Sequence, residues 1–250
     1  MYKTYGVHAF DKRHLGGSGP HPNWSQHLHG LSFDRQGKAR HKLERRLDKL
    51  DLKKSRKELF SAPLNRFVTI DVPPLSYLMA DGHGDPNTTP GYKQAVESLY
   101  ATAYAIKFLC KADGRDFVVP PLEGLWSARN PESFTARRKD EWDWTMMIMM
   151  PDFVDHASFE RGRGKAAGKL GALPESLRIE TLEEGLCLQA LHIGSYDDEG
   201  PLLAKLHDEI MPAEGYDFAG RHHEIYLGDP RKTPPEKLKT LLRQPVRRKA

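Results

Sequence analysis

The six residues "HHEIYL", His222–Leu227, place a carboxylate in the middle of a short apolar and aromatic run. Successive side chains of a β-strand point to opposite faces, so His223 and Ile225 are predicted to share one face. Glu224 and Tyr226 are predicted to share the other. The first face suits a protein core. The second either meets water or lines a cavity in which an acid is needed.

A second run, "PLEGLW" at residues 121–126, occupies the same place in the first half of the chain. In both halves the pattern of apolar residues predicts a strand, a turn, a helix and then a pair of strands. The two halves therefore predict an internal duplication, with modules over about residues 60–155 and 177–230. Aligned in this way, Glu123 and Glu224 are corresponding positions, and each module supplies one carboxylate.

The first module carries clear signals for its elements. The run "RFVTIDVPPLSYLMADGHGDP", residues 66–86, predicts a strand that is interrupted by Pro73 and Pro74 and then resumes. A helix is predicted next, because apolar residues recur every three or four positions from Tyr92 to Cys110. Two strands follow, and alternation in "WDWTMMIMM" predicts that half of its methionines belong to the core. The glycines of "RGRGKAAGKLGAL" predict a poorly formed helix.

The second module repeats this order. The run "LRIETLEEGLCLQALHIGSY" predicts two strands, or one long strand that bends near Gly185. The run "EGPLLAKLHDEI" predicts an amphipathic helix, and "HHEIYL" returns as a strand. The sequence thus predicts an α+β fold, a pseudo-twofold duplication of a strand–helix–strand–strand module with antiparallel sheets and helices packed against them.

The two ends of the chain differ from its middle. Residues 1–50 are polar and glycine-bearing with little apolar periodicity, which predicts a disordered basic extension, with order beginning near Phe60. An over-extended translation start or a transit segment are alternatives for this extension. The folded domain is predicted to span residues 51–246, and residues 247–250 form a short basic tail.

The charge is distributed unevenly along the chain. Residues 1–58 carry 14 Lys and Arg against 6 Asp and Glu, and residues 231–250 carry 8 against 1. The middle of the chain has 16 against 27 and is acidic. An acidic body makes nucleic acid an unlikely ligand and favours cationic ones. The basic ends are interpreted as solvated.

Hydropathy and cysteine content indicate the compartment. Mean hydropathy is −0.64, and no apolar run approaches the roughly 18 residues that a membrane-spanning helix needs. No secretory signal is recognised at the start of the chain. The two cysteines, Cys110 and Cys187, are interpreted as buried thiols in a reducing compartment. A cytoplasmic protein without membrane partners is expected.

Several common kinds of site are not indicated by the sequence. His222 and His223 point to opposite faces of one strand and cannot hold one metal together, and the spacing of His21, His27 and His29 fits no standard metal site. The run "DGHGDPN" lacks the lysine of a phosphate-binding loop. No nucleophilic triad is recognised either. We therefore expect no metal and no cofactor.

Five motifs in order resemble those of the GyrI-like small-molecule-binding family, with stand-alone bacterial members the most similar branch. They are "VPPLSYLMADGHGDPN", "FVVPPLEGLWS", "WTMMIMMPDFV", "EEGLCLQALHIGSY" and "GRHHEIYLGDPRKTPPEKLKTLLRQPV", and the resemblance covers about residues 50–246. It implies two modules packed as a pseudodimer with a ligand cleft between them. Some members of the family sense lipophilic cations as effector domains of transcriptional activators. Others resemble cyclopropane hydrolases that detoxify alkylating compounds.

The resemblance also implies roles for particular residues of the second module. Glu224 matches the carboxylate of the family pocket, and Tyr226 lies close to it in the motif. His192 and Tyr196 match a turn of the type "HIGPY", although this chain has Ser195 in place of the proline.

The first module contributes the other matches. Glu123 and Trp126 match the pocket motif "EGLW", and Trp144 matches the aromatic start of "WTMMI". Many relatives carry a further tryptophan directly after "EGLW", where this chain has Ser127. That difference concerns one wall of the expected cleft.

These matches lead to two functional hypotheses. The first is binding of hydrophobic, often cationic or aromatic small molecules, in drug sensing or sequestration. The alternative is a detoxifying hydrolase that opens electrophilic, cyclopropyl-type molecules. There Glu224 would act as general base on water, while Tyr196 or a protonated Glu123 polarises the electrophile. An effector domain that acts through a DNA-binding partner is a third possibility, weakened because no helix-turn-helix is recognised.

Overall fold

The computed structural model describes residues 48–130, 133 and 136–249, and the elements below lie within them. The strands are β1 (Val68–Val72), β2 (Leu75–His83), β3 (Leu122–Ala128), β4 (Trp142–Met149), β5 (Arg178–Leu182), β6 (Gly185–Ile193), β7 (Tyr216–Phe218), β8 (His222–Tyr226) and β9 (Lys239–Arg248). The helices are α1 (Leu52–Ser55), α2 (Pro90–Ala112), α3 (His156–Leu170), α4 (Gly200–Ala204) and α5 (Met211–Ala213), with a π-helical segment, Lys205–Ile210, joining the last two. Short 3₁₀ turns occupy Lys57–Phe60, Lys139–Glu141, Tyr196–Asp198 and Pro235–Lys237.

The described strands form one antiparallel sheet in the order β1-β6-β9-β8-β3-β4-β2-β5, with β7 paired to the end of β9. This order is symmetrical about the contact between β8 and β3. Counting outward from that contact, the strands on one side are β8, β9, β6 and β1, and their counterparts on the other side are β3, β4, β2 and β5. The predicted α+β duplication is therefore confirmed, and the two quoted runs, "PLEGLW" and "HHEIYL", contribute the adjacent central strands β3 and β8.

The outermost strands are exchanged between the halves. Although β1 directly precedes β2 in the chain, it pairs with β6, and β5 pairs with β2. Pro73 and Pro74 separate β1 from β2, because proline offers no backbone N–H to a neighbouring strand and restricts the residue before it. Each half therefore completes the sheet of the other.

This exchange predicts that the halves do not fold alone. A fragment covering residues 60–155 would contain β1 without its partner β6 and β2 without its partner β5. We expect this fragment to be unfolded or aggregated, with no cooperative unfolding transition by circular dichroism, whereas the full chain unfolds cooperatively. A monomeric fragment with a dispersed NMR spectrum would contradict this interpretation of the sheet.

The sheet has two faces, which carry different cores. We call the side bearing Trp126, Trp144 and Glu224 the front face, and the side bearing Glu123 and His223 the back face. Helix α2 packs on the front face through the apolar stripe that the sequence predicted. The back face is covered by the segment before β1, mainly through Leu52, Leu59 and Phe60. Because both faces are covered, Met146, Met147, Met149 and Met150 are all buried, not only half of them as alternation predicted.

Helix α3 corrects another expectation. The glycines in this segment predicted a poorly formed helix, yet the helix runs for 15 residues and packs against α2. A Cβ atom at Gly162 would lie 2.5 Å from a side-chain carbon of Ile106. The glycine is thus required by the close approach of α3 to α2, and packing outweighs the weak helix propensity.

The ordered domain begins earlier than the periodicity indicated. The backbone of Leu50 donates to the carbonyl of Asp116 and accepts from the N–H of Val118, ten residues before Phe60. Residues 1–47, including His21, His27 and His29, lie outside the described residues, so the expected extension stays a prediction there.

The basic C-terminal segment is part of the sheet. Strand β9 lies between β6 and β8, and its residues from Thr240 to Val246 are buried. The second half of the fold therefore extends through β9, beyond the end near residue 230 that the sequence suggested. The solvated tail that was expected is only the exposed end of this strand, from Arg247 onward. Within the described part of the chain, no helix has the length and apolar character needed to cross a membrane.

Candidate functional site

The front face carries a carboxylate surrounded by aromatic side chains. Strand β8 alternates as predicted, with His223 and Ile225 fully buried and Glu224 and Tyr226 on the opposite side. The phenol of Tyr226 donates a hydrogen bond to Oε2 of Glu224 at 2.8 Å. The indole Nε1 of Trp126 donates to the oxygen of Tyr226 at 3.1 Å. We call this group, with Tyr196 and Glu199 described below, the acidic aromatic site.

Gly124 makes room for these contacts. It is the direct partner of Glu224 across the pair of strands β3 and β8. A Cβ atom at this position would lie 3.1 Å from Nε1 of Trp126 and 3.2 Å from the hydroxyl of Tyr226. Such contacts are tighter than ordinary van der Waals separations. The glycine in "EGLW" therefore leaves space opposite the acid for the two polar groups that hold it.

Tyr196 reaches the site from the turn after β6. Its ring packs edge-to-face on the ring of Tyr226, with centroids 5.5 Å apart, and the residue is 39% exposed. Burial of the phenol raises its pKa, and the charges that Glu199 and Glu224 carry at the high pH where a phenol titrates raise it further. The phenol thus stays protonated at neutral pH and can donate a hydrogen bond to a bound molecule.

His192 holds this turn in place. It is buried on the front face, and its Nε2 lies 3.2 Å from the carbonyl oxygen of Ser195, which it reaches as a donor in the corresponding tautomer. A Cβ atom at Gly194 would lie 2.8 Å from the same nitrogen, so this turn requires glycine. His192 thus contacts the backbone before Tyr196, and the ligand-binding role that the resemblance implies for it stays a prediction.

Glu199 is a second carboxyl group at this site, and no motif in the sequence indicated it. The residue is 3% exposed and lies at the start of α4. Burial, followed by the negative charge of Glu224, raises its pKa from the ordinary value near 4.5 to about 9. Its Oε1 has no hydrogen-bond partner among the described residues. The site therefore contains a carboxylic acid, Glu199, that stays neutral at neutral pH, within reach of a second carboxyl group, Glu224.

Glu123 does not join this site. It lies fully buried on the back face, where its Oε2 is 3.0 Å from Nε2 of His223. Across strands β3 and β8, Glu123 pairs with Ile225, whereas Glu224 pairs with Gly124. Directly paired residues share a face, so Glu123 and Glu224 lie on opposite faces. The alignment of these two residues is therefore one residue off. A shift of one residue moves a strand side chain to the other face. The expected convergence of these two acids in one cleft is therefore not observed.

Glu123 belongs instead to a buried charge network on the back face, formed with His223, Glu184 and Arg243. The second nitrogen of His223 lies 3.0 Å from Glu184, whose other oxygen accepts from Arg243 at 3.1 Å. Burial alone would lower the pKa of His223, but Glu184 and Glu123 outweigh it and raise that pKa. Burial would likewise raise the pKa of Glu184, but His223 and Arg243 lower it to about 2. All four side chains are thus linked in one buried network on the back face.

The two matched tryptophans lie at different depths. Trp126 contacts Tyr226 directly and packs edge-to-face on Trp142, with centroids 5.7 Å apart. Trp144 is buried and donates from Nε1 to the carbonyl of Gly84. Its ring packs edge-to-face on the ring of Tyr92, with centroids 5.1 Å apart.

Tyr92 is a further member that the motifs did not indicate. Burial raises the pKa of its phenol most, and the negative charge of Glu224 is among the further causes. The phenol of Tyr92 is therefore close enough to Glu224 for the charge of that residue to affect its pKa.

The site combines acid–base groups with aromatic surface. A charged carboxylate can take up a proton, and a neutral one can supply a proton, under the same conditions. The surrounding rings suit a planar or cationic molecule, through stacking and cation–π contacts. Among the described residues, no group of three or more His, Cys, Asp or Glu side chains could hold a metal ion. The carboxyl and phenol groups of the site can accept and donate protons.

Comparisons with known proteins agree with this architecture. The family model of the GyrI-like small molecule binding domain matches residues 67–247. An uncharacterised conserved protein from Listeria innocua is 40% identical, with a TM-score of 0.73. Two structures described as a hydrolase from Listeria innocua are also 40% identical, with TM-scores of 0.70 and 0.68. In all three cases the match covers 80% of this chain and 100% of the other. A search of curated proteins found none that matches.

Proposed function

Because this chain belongs to the GyrI-like small-molecule-binding family, we propose that it binds an aromatic, electrophilic small molecule at the acidic aromatic site and hydrolyses it. The observation that carries this proposal is a pair of carboxyl groups in different surroundings: Glu199 is almost fully buried with one oxygen unpartnered among the described residues, and Glu224 accepts a hydrogen bond from Tyr226. Glu199 is neutral because it is buried and close to the charge of Glu224. Acid and base are therefore available together at neutral pH.

The pair of acids accounts for each proton in the reaction. Glu224 takes a proton from water, and the water oxygen forms a bond to the electrophilic carbon of the substrate. The strained carbon–carbon bond of a cyclopropyl ketone breaks, and its electron pair moves onto the conjugated carbonyl oxygen. Glu199 donates its proton to that oxygen. A proton passed from Glu224 back to Glu199 restores the starting state.

The aromatic side chains orient the substrate in this mechanism. Tyr226 and Trp126 hold the carboxylate of Glu224 through the two hydrogen bonds already described. Tyr196 is partly exposed and protonated, so it can donate to the carbonyl group of the substrate. The hydrolases from Listeria innocua, matched over their full length at 40% identity, support this reaction class.

Binding without chemistry is a second candidate function. A carboxylate beside several aromatic rings favours a lipophilic cation, and each cation–π contact contributes about 0.5–2 kcal/mol. Under this proposal the protein would sense or sequester such molecules. Cys110 and Cys187 are free and buried. Free thiols are typical of proteins in the reducing cytoplasm, which is where we propose that the protein acts.

Isotope labelling separates the two functions. The probe is an electron-poor aryl cyclopropyl ketone incubated with the protein in water enriched in oxygen-18. We expect a product heavier than the probe by one labelled water, detected by mass spectrometry, at a rate proportional to protein concentration. Unchanged probe, together with an increase in melting temperature when the probe or a lipophilic cation binds, would overturn the hydrolase proposal in favour of binding alone.

A further inference from the structure

We infer that His222 is a positioning residue for Glu224, and that it selects Glu224, not Glu199, as the carboxyl group that accepts the proton of water. This inference rests on the proposed hydrolase function and adds a residue that neither the sequence analysis nor the motifs assigned to the site. It is carried by the geometry of strand β8, where His222 and Glu224 are two residues apart and lie on the same face.

The two oxygens of Glu224 have different neighbours. Oε2 accepts the hydrogen bond of Tyr226, while Oε1 lies 3.4 Å from Nε2 of His222. An imidazole protonated on Nε2 presents an N–H group toward that oxygen. When the contact to His222 closes, a donor on each oxygen holds the carboxylate in a single orientation.

The two ring nitrogens of His222 are buried without a hydrogen bond. Its side chain is 13% exposed, and neither of its nitrogens has a hydrogen-bond partner among the described residues. A buried polar group without a partner is costly, so such groups are rare away from functional sites. The separation from Glu224 is slightly longer than a good hydrogen bond, as is common at catalytic sites before substrate binds. A small movement of either side chain would close this contact.

The surroundings of His222 contain few groups that compete for this role. His207, on the π-helical segment, is close enough to feel the charge of His222, and burial and then His222 lower the pKa of His207 to about 4. His207 is therefore neutral at neutral pH, and its ring packs edge-to-face on Phe218. The neighbouring strand β3 contributes Trp126, an uncharged residue, opposite His222. Glu224 is thus the anionic group that His222 contacts on its own strand.

The experiment compares two substitutions at this position. His222→Phe keeps a ring of similar shape but removes both nitrogens, while His222→Gln retains an N–H donor. A hydrogen bond to a charged group is worth enough for its loss to lower kcat about 10- to 100-fold. We expect that loss in His222→Phe with KM changed less than about threefold, and recovery of most of the activity in His222→Gln. His156→Phe, an exposed histidine on α3, is the matched control and should behave as wild type.

The pH dependence distinguishes positioning from a merely structural role. Glu224 must be charged to act as a base, so the acidic limb of the pH–rate profile should move upward by about one pH unit in His222→Phe. Unchanged kcat and pH profile in His222→Phe would overturn the inference. An equal loss in His222→Gln and His222→Phe would do the same, because the donor would then be irrelevant.

A substrate-free measurement separates this inference from the proposed function. Carbon-13 NMR of protein labelled at its glutamate carboxyl groups follows the protonation of Glu224 without turnover. If wild type hydrolyses no probe but the titration of Glu224 moves upward in His222→Phe, the hydrolase proposal fails and the positioning by His222 stands. If wild type hydrolyses the probe and the titration is identical in both proteins, the positioning fails alone.

Discussion

Changing Glu224 to Gln is expected to lower turnover of the cyclopropyl ketone by about 10²- to 10⁴-fold, the usual contribution of a general base. Glutamine retains the shape and can still accept the hydrogen bond from Tyr226, so the fold should be preserved. It cannot accept the proton of water. KM should change little for a neutral substrate, whereas affinity for a lipophilic cation should fall, because the charge that attracts it is lost.

Two further substitutions test which residue is the second acid in the proposed reaction. Glu199→Gln should lower kcat over a similar range, since the neutral acid that donates to the carbonyl oxygen is replaced by a weaker donor. Glu123→Gln is the matched control on the back face, and its turnover should stay within about threefold of wild type once folding is complete. Loss of turnover in Glu123→Gln with full activity in Glu199→Gln would reverse the assignment of the second acid. Measurement of kcat and KM for all three variants decides between them.

Changing Arg243 to Met is expected to destabilise the fold by about 3–5 kcal/mol, the cost of removing one partner from a buried ion pair. Arg243 is almost fully buried and donates to Glu184, Gln189 and the carbonyl of Leu59. Its removal leaves the carboxylate of Glu184 in the interior with His223 alone. Chemical denaturation followed by circular dichroism measures the effect.

The same strand supplies the control for this prediction. Arg247→Met replaces an exposed arginine on β9 and should change the free energy of unfolding by less than about 0.5 kcal/mol. The double variant Glu184→Gln with Arg243→Met should lose less stability than the two single variants added together, because each single change leaves a buried charge unpaired. Additive losses would show that the two residues do not form a coupled pair.

The pH dependence of stability follows from the same network. Folding raises the pKa of His223, so its contribution is complete below the ordinary histidine value near 6.5 and is lost as pH rises through the raised value. Folding lowers the pKa of Glu184 to about 2, so its contribution is complete above its ordinary value and is lost as pH falls toward 2. The network therefore stabilises the fold most in the range between these limits.

The face of β8 could be predicted from the sequence because alternation along one strand is a local property. His223 and Ile225 are buried, and Glu224 and Tyr226 share the other face, as the pattern indicated. The relation between Glu123 and Glu224 depends on the register between β3 and β8. That register is set by packing across the whole sheet, and an error of one residue reverses the face.

Glu199 could not be found by the same means. It ends the acidic run "YDDE", which is typical of a solvated turn, whereas the fold buries it within reach of the charge of Glu224. The burial of Arg243 could not be predicted for a similar reason, because charged residues clustered near a C-terminus are usually exposed to solvent. In both cases the environment comes from strands and helices that are distant in sequence.

The protonation of Glu199 tests the central claim most directly. Infrared difference spectroscopy detects the carbonyl stretch of a protonated carboxylic acid, and Glu199→Gln identifies its source. At neutral pH we predict one such band from Glu199 that disappears on titration near pH 9. In Glu224→Gln the band should disappear at lower pH, because the neighbouring charge is gone. If Glu199 proved fully ionised at neutral pH, or if its titration were the same in Glu224→Gln, the pairing of a neutral acid with a charged base would be contradicted.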